Sequence, residues 1–172
     1  PGLVSEAAEE FNAACTEKET AKVGIVGEIF LEFNPYAQKN VTNWLIGQGL
    51  EVVPPLITDF FTQSFVNRET KNRTMLQRKS IPNAIVNRLY RKVQKRIAAF
   101  DCAASTFKHY TPFDDIREKA RRAEKIISLN AQFGEGWLIA GEIATYAAHG
   151  INHVVSLQPF GCIANHIIEK GI

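Results

Sequence analysis

Residues 22–54 read KVGIVGEIFLEFNPYAQKNVTNWLIGQGLEVVP, and this stretch decides the fold. Its opening, Lys22–Gly27, is short and rich in β-branched residues, and it runs at once into a glycine-containing turn, as a buried strand does. Ala37–Gln48 has helical spacing and ends at Gly49, the residue type favoured just past a helix C-terminus. Leu50–Pro54 (LEVVP) then reads as a second strand. Strand, helix and strand within 33 residues match the length of a right-handed parallel crossover unit.

The same pattern recurs near the other end. Gly136–Ala148 reads as a helix with Trp137, Ala140, Ile143, Ala144 and Ala147 on its apolar side. It stops at His149-Gly150, and His153–Leu157 follows as a third strand. Lys125–Leu129 (KIISL) is expected to be a fourth strand, giving a further strand–helix–strand unit across Gly134. Residues 59–124 have little strand character and read as helices over 59–67, 82–100 and 113–124. Pro1–Cys15 reads as a separate amphipathic helix. The expected class is therefore α/β: a parallel sheet flanked by helices in a Rossmann-like three-layer arrangement. Residues 1–20 form a linker helix, and 21–172 form one α/β domain with a helical segment at 59–124.

Composition bounds the function. Across 172 residues, 45% hydrophobic and 22% charged content excludes a disordered or fibrous chain. A chain of this length buries roughly 70% of its unfolded surface, so a proper core forms without staples. No apolar run approaches the ~20 residues of a membrane span, and the acidic start PGLVSEAAEEF has no signal-peptide core. No membrane partner is expected. The three cysteines, Cys15, Cys102 and Cys162, are odd in number and widely spaced, which argues for a reducing, cytoplasmic setting. The first residue is Pro1 and the single methionine is Met75, so the chain reads as a fragment of a larger protein.

The net charge of +2 hides a segregated pattern. Residues 68–96 carry ten Lys or Arg against the single acid Glu69. From Pro82 onward Ile85, Leu89, Val93 and Ile97 recur every fourth position, with Arg88, Lys92 and Lys95 on other faces. Ser80 can cap this helix, and Pro82 suits its first turn. The apolar stripe is expected to be buried and the basic residues solvated. Clustered cations of this kind can bind phosphate or an acidic partner, and nucleic acid is not expected as a partner.

In an open parallel sheet, ligands bind beyond the C-terminal ends of the strands. Three loops follow the expected strands: Gly27–Tyr36, Asn130–Trp137 and Gln158–Cys162. Each combines glycine, aromatic residues and a polar or reactive side chain, so the three are expected to converge at one edge. The G-x-G-x-x-G dinucleotide fingerprint is absent, as is the G-x-x-x-x-G-K-[ST] phosphate loop. His149 and His153 precede or open the third strand, whereas Cys162 and His166 lie beyond its other end. The two pairs therefore stand ~15 Å apart at ~3.3 Å per residue, which rules out a shared zinc. His149 reads as a helix C-terminal residue favoured by the dipole. Cys162, in a glycine-flanked turn near a helix start, suits a packing residue, a soft-metal ligand or a nucleophile. Cys15 and Cys102 fall in helical stretches and read as packing residues.

The blocks VGIVGEIFLEFNPYAQKNVTNWLIGQGLEVV, NAQFGEGWLIAGEI and HVVSLQPFGCIANHIIEKG resemble the C-terminal part of the 2-hydroxyacyl-CoA dehydratase family. The likeness is closest to the dehydratase-like region of large acyl-CoA dehydratase activases and activators related to benzoyl-CoA reductase. It covers roughly Lys22–Val66 and Lys125–Ile172. The resemblance implies an oxygen-sensitive protein whose subunits hold a [4Fe–4S] cluster through three cysteines near a CoA-thioester site. It also implies an ATP-hydrolysing activator that injects one electron. Carried over by position, Cys162 in QPFGC is the implied cluster ligand, and Glu28, Glu135 and Gln158 line the same substrate-binding edge. Ala164 stands where the family often has proline, and the other cysteine ligands belong to an upstream domain. The implied partners are an acyl-CoA thioester and other domains of the parent, or an activator or dehydratase partner. The fragment alone is expected to be inactive and to carry no cluster. The alternative is a non-catalytic docking or regulatory domain of an activase fusion.

Overall fold

The computed structural model describes residues 2–16, 18–74, 82–168 and 170. Met75, which is the single methionine, and Ser80, expected as a helix cap, lie outside the described residues. The chain divides into two compact units, one comprising Pro1–Glu19 with Arg78–Asp115 and the other Thr20–Gln77 with Ile116–Ile172. The middle helices are thus divided. Residues 83–104 group with the N-terminal helix, and the helices on either side group with the sheet.

The sheet-bearing unit is α/β. Its strands β1 (Lys22–Gly27), β2 (Glu51–Val53) and β3 (Val154–Leu157) form a parallel sheet in the order β2-β1-β3. The register pairs Lys22 with Glu51 on one side of β1 and Gly27 with Leu157 on the other. Alternate residues of a strand point to opposite faces, and the core follows that rule. Val23 and Ile25 pack with Leu45 of α3 (Val41–Gly47). Val26 packs instead with Ile139 and Tyr146 of α7 (Trp137–Ala148) and with Ile151. Gly24 lies on the Tyr146 face, and a Cβ there would stand 2.6 Å from the tyrosine ring, so only glycine lets helix and strand approach this closely. The Tyr146 hydroxyl reaches the Val53 carbonyl at 3.0 Å and the Ile25 carbonyl at 3.2 Å, tying α7 to two strands.

Helices α4 (Ile57–Arg73) and α6 (Ile116–Ala123) complete this unit's packing against α7. The α6 face that meets α7 carries Ile116, Ala120 and Ala123, all nearly fully buried. Trp137 is wholly buried, and its Nε1–H donates to Asn67 Oδ1 of α4 at 2.6 Å, which satisfies the indole's only polar atom. Short α2 (Ile29–Phe33) follows β1 directly, and α8 (Ile163–Ile168) follows β3.

Three expectations fail here. Lys125–Leu129 is a run of turns and bends, not a strand. The Ile126 and Ile127 N–H groups bond back to the Ala123 carbonyl at 2.8 and 2.9 Å, rounding off α6 rather than joining the sheet. In α7, burial extends through Leu138, Ile139, Gly141, Glu142 and Thr145, whereas Ala147 is exposed. The helix is enclosed on nearly all sides, so a single apolar stripe misdescribes it. Cys102 is exposed and is not a packing residue, while Cys15 is half-buried just past α1 (Gly2–Ala14).

The other unit joins α1 to α5 (Asn83–Ala104). Ser5 Oγ donates to the Ala103 carbonyl at 3.3 Å and Asn12 Nδ2 to the Thr106 carbonyl at 2.7 Å. Helix α5 forms as expected, but its burial does not. Ile85 and Leu89 are 59% and 54% exposed, whereas Tyr90, Ala103 and Ala104 are buried. Tyr90 faces inward because its hydroxyl donates to the Asp115 carboxylate at 2.7 Å, and α1 covers the C-terminal end of the helix. The basic residues Arg88, Lys92 and Lys95 are exposed.

Candidate functional site

β1 is the central strand. The chain passes from it to β2 on one side, and β3 lies on the other. In open parallel sheets of this kind the switch point, here beyond the C-terminal ends of β1 and β3, is where ligands bind. The three expected turns meet there. Gly27 pairs with Leu157, and the Glu28 N–H donates to the Leu157 carbonyl at 3.0 Å, prolonging the ladder past the strand end. A Cβ on Gly27, whose φ is +134°, would fall 2.2 Å from that same carbonyl oxygen. Glu135 Oε1 accepts from the Ile29 N–H at 3.1 Å, joining the second turn to the first. Gly134 lies beside Ala164 of α8, which brings in the third. Only two of these turns trail a strand, because residues 125–129 are not one.

The candidate side chains divide by task. Glu28 is the N-cap of α2, and its Oε2 accepts from the Leu31 N–H at 3.1 Å. Helix starts favour such an acceptor, which satisfies an otherwise orphaned donor. Glu135 is buried and holds Ile29. Both carboxylates therefore act first on the backbone of the edge. Gln158 and Cys162 are half-buried in the turn after β3, and the Cys162 carbonyl accepts from the His166 N–H at 3.0 Å, opening α8. His149 is the C-cap of α7, as its spacing indicated.

A set of buried ionisable residues at this edge has no counterpart in the sequence reading. Glu32 of α2, Glu142 of α7, Asp59 of α4 and Lys119 of α6 are all buried. Lys119 and Asp59 form an ion pair with both side chains 5% exposed. Burial, and then the carboxylates of Glu142, Glu135 and Glu28, push Glu32 up to about 9 against a hydrogen bond from the Gly27 backbone. Burial pushes Glu142 up to about 8; the nearby Lys119 ammonium opposes the rise, and Asp59 and Glu135 add to it. Burial, and then the carboxylates of Glu142, Glu32 and Asp59, hold the Tyr146 phenol above its ordinary value. Two of these residues left a trace in the sequence. Glu32 interrupts IFLEF and Glu142 interrupts WLIAGEIATYAA, each a single charge in an apolar run. Asp59 and Lys119 left none, because each is explained only by the other.

Beside these groups a cleft of about 320 Å³ opens at the ends of β1 and β2, with Glu32, Phe33, Gln38, Asn43 and Val52 in its walls. That volume lies at the small end of ligand pockets. The polar side is organised by Gln38, whose Oε1 accepts from both the Thr42 N–H and the Thr42 hydroxyl.

The donor set does not complete an iron–sulfur site. A cluster held through three cysteines needs two more thiolates than the sheet-bearing unit supplies. Cys162 lies in the sheet-bearing unit, whereas Cys15 and Cys102 lie in the other. Among the described residues no three His, Cys, Asp or Glu side chains are grouped to hold a metal ion, and no helix is long and apolar enough to cross a membrane. No family model, curated protein or solved structure matches this chain.

Proposed function

We propose that the sheet-bearing unit is the dehydratase-like part of an anaerobic, cytoplasmic iron–sulfur protein acting in acyl-CoA chemistry, of the 2-hydroxyacyl-CoA dehydratase or activase type. One observation carries the reading. The three sequence blocks that resemble this family supply the three turns that meet at one sheet edge, through Gly27–Leu157, Ile29–Glu135 and Gly134–Ala164. In this reading the sheet belongs to a Rossmann-like three-layer domain. Cys162 is one thiolate of a [4Fe–4S] cluster, and the parent protein supplies the others. Glu28 and Glu135 fix the backbone of the substrate edge, with Gln158 beside them. The ligand is an acyl-CoA thioester, the partner is an activator or dehydratase module, and the 172-residue chain alone neither turns over nor assembles a cluster.

A second reading, a docking or regulatory domain of an activase fusion, is favoured by a separate observation. Phe30, Phe133 and Phe160, one near or on each turn, are 61%, 81% and 110% exposed. Exposed aromatics are what a partner surface offers.

Anaerobic reconstitution of the longer parent with iron and sulfide separates the two. Cys162→Ser is expected to diminish or abolish the cluster's visible absorbance, because an alkoxide is a harder and poorer ligand for this iron. Cys15→Ser and Cys102→Ser are expected to leave it intact. A full cluster in the Cys162→Ser parent overturns the ligand assignment and puts the docking reading first.

A further inference from the structure

Next to the cleft lies a second, much smaller cavity of about 10 Å³, close to the space one water needs. Three carboxyl side chains from different parts of the chain line it: Glu32 of α2, Glu135 just ahead of α7, and Glu142 within α7. The rest of its wall is apolar, with Ile57, Phe60 and Leu138. Glu135 is engaged by the Ile29 N–H. Glu32 is only 9% exposed, lines both this cavity and the cleft, and has an Oε1 atom with no hydrogen-bond partner. A buried carboxylate oxygen without a donor is strongly disfavoured, and more so beside other anions. The charged groups acting on Glu32 are Glu142, Glu135 and Glu28, all acidic. Lys119, which faces Glu142, is already ion-paired with Asp59. Tyr146 is the remaining titratable neighbour, and its phenol stays neutral. The cluster therefore holds more carboxyl groups than it can keep ionised.

We propose that this cavity is an internal water site, and that Glu32, Glu142 and the water form a proton-holding network adjoining the cleft, with both carboxyls neutral at pH 7. A neutral Glu32 offers an O–H donor, so the cleft selects ligands that present an oxygen acceptor and disfavours cations. The inference uses neither Cys162 nor any cluster and stands apart from the proposed function.

The direction of the linked pH dependence follows from the raised values. Glu32 and Glu142, displaced to about 9 and about 8, bind protons in the folded chain that the unfolded chain has released above about 4.5. Their contribution to stability is complete below the unfolded value and is lost as pH rises through 8 to 9, after which it stays constant.

The test is a side-chain carboxyl carbon NMR titration of the 172-residue chain, with thermal unfolding measured from neutral pH to above about 9. Glu32→Gln and Glu142→Gln, each isosteric with the neutral acid, identify the two resonances. Two carboxyls titrating near 9 and 8 are expected, with part of the alkaline loss of Tm removed in each variant and nearly all of it in the double variant. Two carboxyls titrating in the ordinary range overturn the proposal. So does a wild-type Tm that millimolar magnesium or calcium raises at pH 7 while leaving the variants unmoved, since that marks a cation site. Should a variant not fold, resonances assigned through the wild-type backbone decide the same question.

Discussion

Glu135 accepts the backbone N–H of Ile29 at 3.1 Å, across 106 positions of sequence. That bond fixes where the chain goes after β1, because Ile29 is the first residue of α2. Removing the acceptor leaves a partly buried donor unsatisfied, at a cost of about 1–3 kcal/mol. Glu135→Ala is expected to lose that much in urea unfolding. Glu135→Gln keeps the acceptor and removes the charge, so it is expected to lose less and to lower the Glu32 and Glu142 values, as read by carboxyl NMR.

The Lys119–Asp59 pair is enclosed, and truncating one partner strands the other charge. Lys119→Met alone is expected to cost about 3–5 kcal/mol. Lys119→Met combined with Asp59→Leu is expected to recover most of it. A double-mutant cycle measures the coupling, and additive losses would show that the two side chains do not compensate each other.

Gly27 has no room for a side chain. Gly27→Ala sets a Cβ against the Leu157 carbonyl at a left-handed φ, adding overlap to backbone strain. Each is worth about 1–3 kcal/mol, so the variant is expected to be among the least stable single substitutions in the sheet. Gly24→Ala clashes with a side chain instead, the Tyr146 ring. Trimming that ring in Gly24→Ala/Tyr146→Leu is expected to give a less-than-additive loss in thermal unfolding.

Trp137 is wholly enclosed with its indole N–H on Asn67. Trp137→Ala is expected to cost about 3–5 kcal/mol. Asn67→Ala, which removes only the acceptor, is expected to cost about 1–3 kcal/mol. Equal losses in chemical denaturation would show that the hydrogen bond, not the packing of the ring, carries the stabilisation.

Ile85 and Leu89 test the burial of α5. Both are more than half exposed, so Ile85→Ser and Leu89→Ser are each expected to change stability by less than about 0.5 kcal/mol. A buried stripe would lose about 2–5 kcal/mol at each position. The Arg88/Arg91/Lys92 triple alanine is likewise expected to fold with near-unchanged Tm.

The three strands, the helices between them and the parallel pairing of β1 with β2 were legible in sequence, because each is set by local properties. β-branched runs, glycine just past a helix end and a crossover of fixed length need no knowledge of distant residues. The meeting of the turns after β1 and β3 was legible for the same reason, since a parallel sheet puts its C-terminal ends on one side; the turn before α7 follows no strand and is joined to them by the Glu135–Ile29 hydrogen bond. The tertiary structure decided what a one-dimensional pattern leaves open. KIISL has strand composition, yet its N–H groups return to Ala123 because the C-terminus of α6 has acceptors to offer. The every-fourth stripe of α5 identifies a helix without saying which face is covered, and contacts with α1 and Asp115 chose Tyr90, Ala103 and Ala104. The buried carboxyl cluster lies furthest from sequence. Glu32, Glu135 and Glu142 line one cavity because α2 and α7 both pack against β1. A carboxyl's affinity for its proton depends on how much water and how many charges surround it, which only the folded chain defines.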